Sequence, residues 1–228
     1  TRYAQDYITR FGFEADRHPP YLTMALGAGS ATPMQMAGAI SVFANGGYRV
    51  TPYIVAKMTD ANGKIVAEAR PTRAGDEAAR TIDARNAFLM DSMLRDVVRR
   101  GTATAALRLK RSDLAGKTGT TNDSFDAWFV GYQPTLAAAA WIGFDTPRKL
   151  GDRETGGGLA LPIWINYMES ALAGVRDASP TPPPGVVQIG GDWYYAEVPP
   201  GKGIAALGVS LDGLGSGSRG EQVRDQLF

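Results

Sequence analysis

The residues best suited to chemistry in this 228-residue chain are Lys117, Thr118, Gly119, Thr120 and Thr121, in the run Ala115-Gly116-Lys117-Thr118-Gly119-Thr120-Thr121. Alternation along a strand puts Thr118 and Thr120 on one face and Lys117 and Gly119 on the other. Two hydroxyls beside an ammonium suit a carboxylate: lysine supplies a compact point charge, the threonines supply directional donors, and Gly119 leaves room for another element to come close. By itself a Lys-[Ser/Thr]-Gly triplet arises by chance in roughly one chain of this size in ten, so its surroundings must decide.

Other chemistries are poorly served. The chain has no cysteine and one histidine, which removes zinc fingers, iron–sulfur proteins, cysteine hydrolases and disulfide scaffolds. His18 precedes Pro19 and Pro20, far from any Gly-x-Ser-x-Gly elbow, and reads as a loop residue rather than a triad base. A phosphate-binding loop at Gly116-Lys117-Thr118 fails because Arg111 stands where the first glycine is required. Asp123 and Asp126 lack metal-site spacing and read as turn residues.

The elements that must position the triplet follow from periodicity. Thr32-Pro33 is an N-cap with proline at the first helical position, and Met34, Met36, Ala37, Ile40, Val42 and Phe43 form a core-facing stripe that stops at Asn45-Gly46-Gly47. Residues 53–59 and 64–69 flank Asp60-Ala61-Asn62-Gly63 and predict a hairpin. A second helix is predicted from Asp83 to Arg100, with Phe88, Leu89, Met93, Leu94, Val97 and Val98 inward and Gly101 as its stop. Leu114–Thr121, Phe125–Gln133 and Leu136–Phe144 read as three strands joined by turns short enough to force antiparallel neighbours. After Gly156-Gly157-Gly158, residues 161–173 predict a buried helix with Pro162 in its first turn. The sum is an α+β fold, an antiparallel sheet packed with helices.

With 44% apolar residues the chain can bury a core. Lysine plus arginine (24) against aspartate plus glutamate (23) leaves a net charge of +1, and no basic field argues for nucleic acid as a partner. The longest apolar run, Leu136 to Phe144 through Gly143, is far shorter than the roughly 20 residues of a membrane-spanning helix. Glycine and proline concentrate after residue 173. Residues 1–173 are therefore expected to be compact, and residues 174–228 a largely irregular tail on that unit, with Trp193, Tyr194 and Tyr195 to pack with and a short helix over Gln222–Phe228.

The triplet begins an antiparallel hairpin, the setting in which serine β-lactamases and penicillin-binding proteins carry it. The sequence resembles the transpeptidase domain of class A penicillin-binding proteins of the Gram-negative 1A type. Beyond Lys117-Thr118-Gly119-Thr120-Thr121, the resemblance rests on Tyr7-Ile8-Thr9-Arg10-Phe11-Gly12-Phe13, Ala25-Leu26-Gly27-Ala28, Phe43-Ala44-Asn45-Gly46-Gly47 and Arg100-Gly101-Thr102-Ala103. It continues through Asp126-Ala127-Trp128-Phe129-Val130-Gly131-Tyr132, Trp141-Ile142-Gly143-Phe144-Asp145, Ala160-Leu161-Pro162-Ile163-Trp164 and the ending Val223-Arg224-Asp225-Gln226-Leu227-Phe228. β-Lactamases and D,D-carboxypeptidases share the triplet but not these flanking blocks.

The resemblance implies a penicillin-binding, serine β-lactamase-like fold and a D,D-transpeptidase that cross-links peptidoglycan stem peptides, is acylated by β-lactams, and works on the periplasmic side of the inner membrane. It implies no metal and no cofactor. Carried over, Lys117 lines the cleft, Thr118 and Thr120 hold the substrate's terminal carboxylate, and the Thr120 N–H is one of two oxyanion donors. Gly119 and Thr121 complete the strand along which the peptide lies.

The family also needs Ser-x-x-Lys and Ser-x-Asn, and no serine of this chain begins either motif. The expectation is that this chain is the C-terminal part of a longer protein, whose N-terminal remainder supplies the nucleophile, its lysine base, the membrane anchor and strands of the sheet. Alone it should be inactive. A non-catalytic β-lactam sensor or cell-wall scaffold of the same fold is the alternative.

Overall fold

The computed structural model describes residues 1–201 and divides the chain after Pro184. In the first unit, helix α1 (Arg2–Thr9) is followed by two short 3-10 turns and by α2 (Pro33–Ala44). The Thr32–Gln35 pair makes a reciprocal capping box: the Gln35 N–H donates to Thr32 Oγ1 (3.1 Å) and the Thr32 N–H to Gln35 Oε1 (2.9 Å). Strands β1 (Lys57–Thr59) and β2 (Ile65–Glu68) form the expected hairpin, shorter than the apolar pattern suggested and exposed along its whole length. Asp60 Oδ1 holds its turn by accepting from the Asn62 and Lys64 N–H groups.

Helix α3 (Ala84–Arg100) is N-capped by Asp83. Of its predicted stripe, Leu89, Leu94 and Val98 are buried but Met93 is exposed. Asp91 and Arg95 are buried instead, because they neutralise each other one turn apart at 2.7 Å. Strands β3 (Ala115–Thr120), β4 (Ala127–Gln133) and β5 (Leu136–Ile142) make an antiparallel sheet in the order β3-β4-β5. Helix α4 (Leu161–Ala171) follows a π-helical turn at Gly156–Ala160.

The register pairs Ala115 with Tyr132, Lys117 with Val130, Thr118 with Phe129 and Gly119 with Trp128. On one face, Phe129 packs edge-to-face on Trp164 of α4 (4.8 Å between ring centroids), in the main core with Leu114, Leu161, Ile165 and Met168. On the other face, Ala115 and Tyr132 cluster with Leu94 of α3 and Ile40 and Phe43 of α2. The sheet is therefore sandwiched between helices, an α+β arrangement.

The compact unit runs past the expected boundary at residue 173. Arg111 donates to the Val175 and Arg176 carbonyls (2.7 and 3.0 Å), Asp177 accepts from the Ser112 N–H (2.7 Å), and the Ala178 N–H donates to buried Asp113 (3.0 Å). Composition is blind to this, because the strap is fastened by charged groups on another segment.

The second unit, from Gly185, holds an ordered hairpin where irregular chain was expected. Strands β6 (Val186–Ile189) and β7 (Asp192–Tyr195) are joined by Gly190-Gly191, both at positive φ, a two-residue turn that matches strand twist. The short helix expected over Gln222–Phe228 lies outside the described residues.

Candidate active site

Among the described residues strand β3 is an outer strand of its sheet, and its two ends are held differently. At its base, Asp113 is fully buried and takes two parallel bonds from Arg111 (Nε to Oδ1 2.8 Å, Nη2 to Oδ2 2.7 Å). Gln133 Nε2 (3.1 Å) and the Ala178 N–H (3.0 Å) complete its shell. Burial pushes the Asp113 carboxyl up, and the bonds from Arg111, Ala178 and Gln133 together outweigh it, leaving the group below the usual carboxylate range. Gly116 lets β4 pack close, since a Cβ there would lie 2.7 Å from the Phe129 ring and 2.7 Å from the Val130 carbonyl oxygen.

At the other end, Lys117 is exposed. Its Nζ donates to the Thr118 carbonyl (3.0 Å) and lies 3.4 Å from Thr118 Oγ1, and it has no carboxylate partner among the described residues. Thr118 Oγ1 is 2.7 Å from Thr102 Oγ1. Thr120 Oγ1 accepts the Gly156 N–H at 3.1 Å. Gly119 faces the Trp128 side chain, 3.2 Å from where its Cβ would be. Thr121 is drawn away: its Oγ1 accepts the Asp126 N–H (2.7 Å) and its own N–H donates to the Asp126 carbonyl (3.1 Å), closing the turn to β4.

The glycine turn seats against this strand because it has no side chains to keep it off. A Cβ on Gly156 would collide with the Gly119 and Trp128 carbonyl oxygens, and one on Gly157 would lie 3.3 Å from the Thr102 carbonyl oxygen. Thr155 Oγ1 accepts the Gly158 N–H at 3.1 Å and fixes the turn's first residue. Asp126 is a turn residue whose Oδ1 accepts from Trp141 Nε1 (2.8 Å), and Trp141 in turn leans on Trp128 (6.0 Å). His18 sits elsewhere, edge-on to Phe13.

An ammonium, three neighbouring hydroxyls and an outer strand edge can bind a carboxylate and a length of extended peptide. Sequence reasoning left Thr102 and Gly156 without a role, although both lie in runs it singled out. The available signal was a hydroxyl directly after the glycine that ends a helix.

A fold of this kind, with this triplet on an outer strand of the sheet, defines a class. The sequence profile described as "Penicillin binding protein transpeptidase domain" matches residues 7–169, and the chain belongs to that family. Its similarity runs to the 1A type: it is 46% identical over 213 residues to penicillin-binding protein 1A of Neisseria meningitidis serogroup A, covering 93% of this chain and 26% of that protein. It is 42% identical over 231 residues to penicillin-binding protein 1A of Pseudomonas aeruginosa, covering 82% of this chain and 28% of that one. The crystal structure of penicillin-binding protein 1A from Haemophilus influenzae superposes with a TM-score of 0.76 at 32% identity, over 85% of this chain and 36% of that one. PonA1 of Mycobacterium tuberculosis in complex with penicillin V gives 0.64 at 26% identity, over 84% of this chain and 54% of that one. The chain thus spans about a quarter of the length of the 1A proteins it matches in sequence.

Proposed function

We propose that this chain supplies the carboxylate clamp and one oxyanion donor of a peptidoglycan D,D-transpeptidase, with the nucleophile coming from the remainder of a longer protein. The serine hydroxyl of that remainder attacks the penultimate D-Ala carbonyl and gives up its proton to a base. The tetrahedral oxyanion collapses, the last D-Ala leaves as a protonated amine, and an amine of a neighbouring strand then takes the acyl group and regenerates the serine.

In this reading Thr118 and Thr120 hold the substrate's terminal carboxylate, or that of a β-lactam, and Lys117 supplies the positive field. The Thr120 N–H faces the developing oxyanion, a donor of a kind typically worth roughly 2.7–4 kcal/mol. Gly119 keeps the strand open to the peptide, while Thr121 contributes by closing the turn that carries the clamp. The observation that carries the reading is the Lys117 ammonium, free of any carboxylate among the described residues, beside the Thr118 hydroxyl on the outer strand.

The opposite edge of the sheet supports the need for a second segment. Along β5, Ala137–Trp141 border an open groove of about 550 Å³ with Pro33 of α2 and Ile163, Trp164 and Tyr167 of α4. Only one side of β5 is paired among the described residues. An unpaired apolar edge of this kind takes another strand, and the occupant we assign is a strand of the N-terminal remainder. On the family reading, that remainder also carries the anchor that holds the site on the periplasmic side of the inner membrane. Among the described residues no helix is long and apolar enough to cross a membrane.

The test is fluorescent-penicillin labelling of the full-length protein and of this chain alone. The expected result is a covalent label on the full-length protein, at a serine outside residues 1–228, and none on the chain alone. Absence of label from a folded full-length protein carrying both missing motifs would favour the sensor or scaffold.

A further inference from the structure

Thr102 lies where a helix end, a glycine turn and the outer strand converge. Gly101 ends α3 with φ −109° and ψ −149°, and a Cβ there would come within 2.8 Å of Val97 Cα, so glycine alone lets the chain turn off the helix at this point. The Gly101 and Ala103 N–H groups both donate to the Val97 carbonyl, and Ala103 is fully buried in the main core. Thr102 is therefore pinned on both sides, while its own side chain is exposed and bonded to Thr118.

A hydroxyl has one proton. When two hydroxyls bond to each other, one donates and only the other keeps a proton for a third group. The Lys117 ammonium sits 3.4 Å from Thr118 Oγ1 and can only donate, so it occupies one of that oxygen's acceptor positions. If Thr102 donates into the second, the Thr118 proton turns outward; if Thr118 donates to Thr102, the Thr102 proton does.

From this geometry we infer that Thr102 is part of the clamp: its hydroxyl and that of Thr118 share one internal bond, which leaves one O–H of the pair to face outward and so makes the site selective for ligands with a carboxylate beside the acylated bond. The inference rests on the transpeptidase reading above. In either arrangement of the Thr102–Thr118 pair, one O–H is left for an approaching anion. Without the Thr102 hydroxyl, the Thr118 proton is free to rotate among solvent and backbone acceptors.

The experiment uses the full-length protein and its Thr102→Val and Thr102→Ser variants. It compares second-order acylation rates for benzylpenicillin and for the same penicillin with its carboxylate converted to a primary amide. Hydrogen bonds to charged groups are among the strong ones, so Thr102→Val should slow acylation by the free acid about tenfold and by the amide less than twofold, with serine restoring the wild-type ratio. Thr102 is exposed, so valine, its near isostere, should leave the melting curve in place. Equal losses on both ligands would make the residue merely structural and overturn the inference, as would no loss on either. A folded wild type acylated by neither ligand overturns the transpeptidase reading itself, and Thr102 with it.

Discussion

The two ends of β3 are built on opposite plans. Its base is a buried carboxylate with both oxygens engaged: Asp113 meets Arg111, Gln133 and the Ala178 N–H. Its tip is an exposed ammonium and a fringe of hydroxyls that still have protons and lone pairs to offer. A strand that must present donors to a ligand cannot also satisfy them internally, so its position has to be fixed from somewhere else. Here it is fixed at the root, about four residues back, by groups outside the proposed clamp. The difference predicts that substitutions at the base will cost stability first, and those of the exposed side chains at the tip activity alone.

The sharpest way to break this division is Asp113→Ala. It leaves the Arg111 guanidinium, only 12% exposed in its side chain, without its counter-charge, and strips the strap of its anchor. Removing one partner of a buried ion pair costs about 3–5 kcal/mol, which a urea titration of the full-length protein should register in the transpeptidase transition. Because the folded Asp113 carboxyl titrates below its unfolded range, its contribution is present above about pH 4 and is lost as pH falls through the lowered value. Asp113→Asn should therefore flatten the acid limb of stability below about pH 4. If both variants melted like the wild type while acylation fell, the base would be part of the chemistry and the contrast would be wrong.

At the tip the converse holds. Lys117→Ala should lower the second-order rate of penicillin acylation about a hundredfold, the scale of losing one preorganised electrostatic group, and leave the urea midpoint within experimental error. Gly156→Ala tests the same end without touching a ligand-binding group. Its methyl must push the glycine turn off the Gly119 and Trp128 carbonyls, taking with it the N–H that Thr120 accepts. Acylation should fall about tenfold, with stability down by the roughly 1–3 kcal/mol typical of overpacking. A full-rate Gly156→Ala variant would show that the turn does not hold the clamp.

The contrast also marks what could be read from the residues alone. The capped helix at Thr32-Pro33, the helix after Asp83 and the three-strand meander were legible because apolar period and turn chemistry are local signals. So was the tip, since Lys117-Thr118-Gly119-Thr120 is contiguous. The base was not. Asp113, Asp91 and Arg95 are of types usually solvated, and their partners lie up to 84 residues away. Thr102 escaped for the same reason, being 16 residues from the hydroxyl it meets. The hairpin at Val186–Tyr195 was hidden by its setting of glycine and proline, although Gly190-Gly191 was itself a turn signal.

Tyr132 refines the contrast, because it pairs with Ala115 at the base and yet carries a titratable hydroxyl. The group is fully buried and donates to Asp91 Oδ1 at 2.9 Å, within the pair formed with Arg95. Burial first, and then the negative charge of Asp91, raise its pKa far above the usual phenol range. The folded chain thus keeps this proton at pH values where the unfolded chain, titrating near pH 10, gives it up. The linkage lowers stability as pH rises beyond about 10 and leaves neutral pH untouched. Tyr132→Phe removes the titration, so its alkaline limb between about pH 9.5 and 11 should be flatter than the wild type's. At neutral pH the variant should lose about 1–2 kcal/mol, because Asp91 keeps Arg95 but forfeits one buried donor. That is the smallest of these effects and the most specific. A base that only held the strand in place would make the neutral loss without moving acylation, so an unchanged penicillin rate is the expected companion. A slower rate would mean that strain at the root reaches Lys117 through two residues of strand.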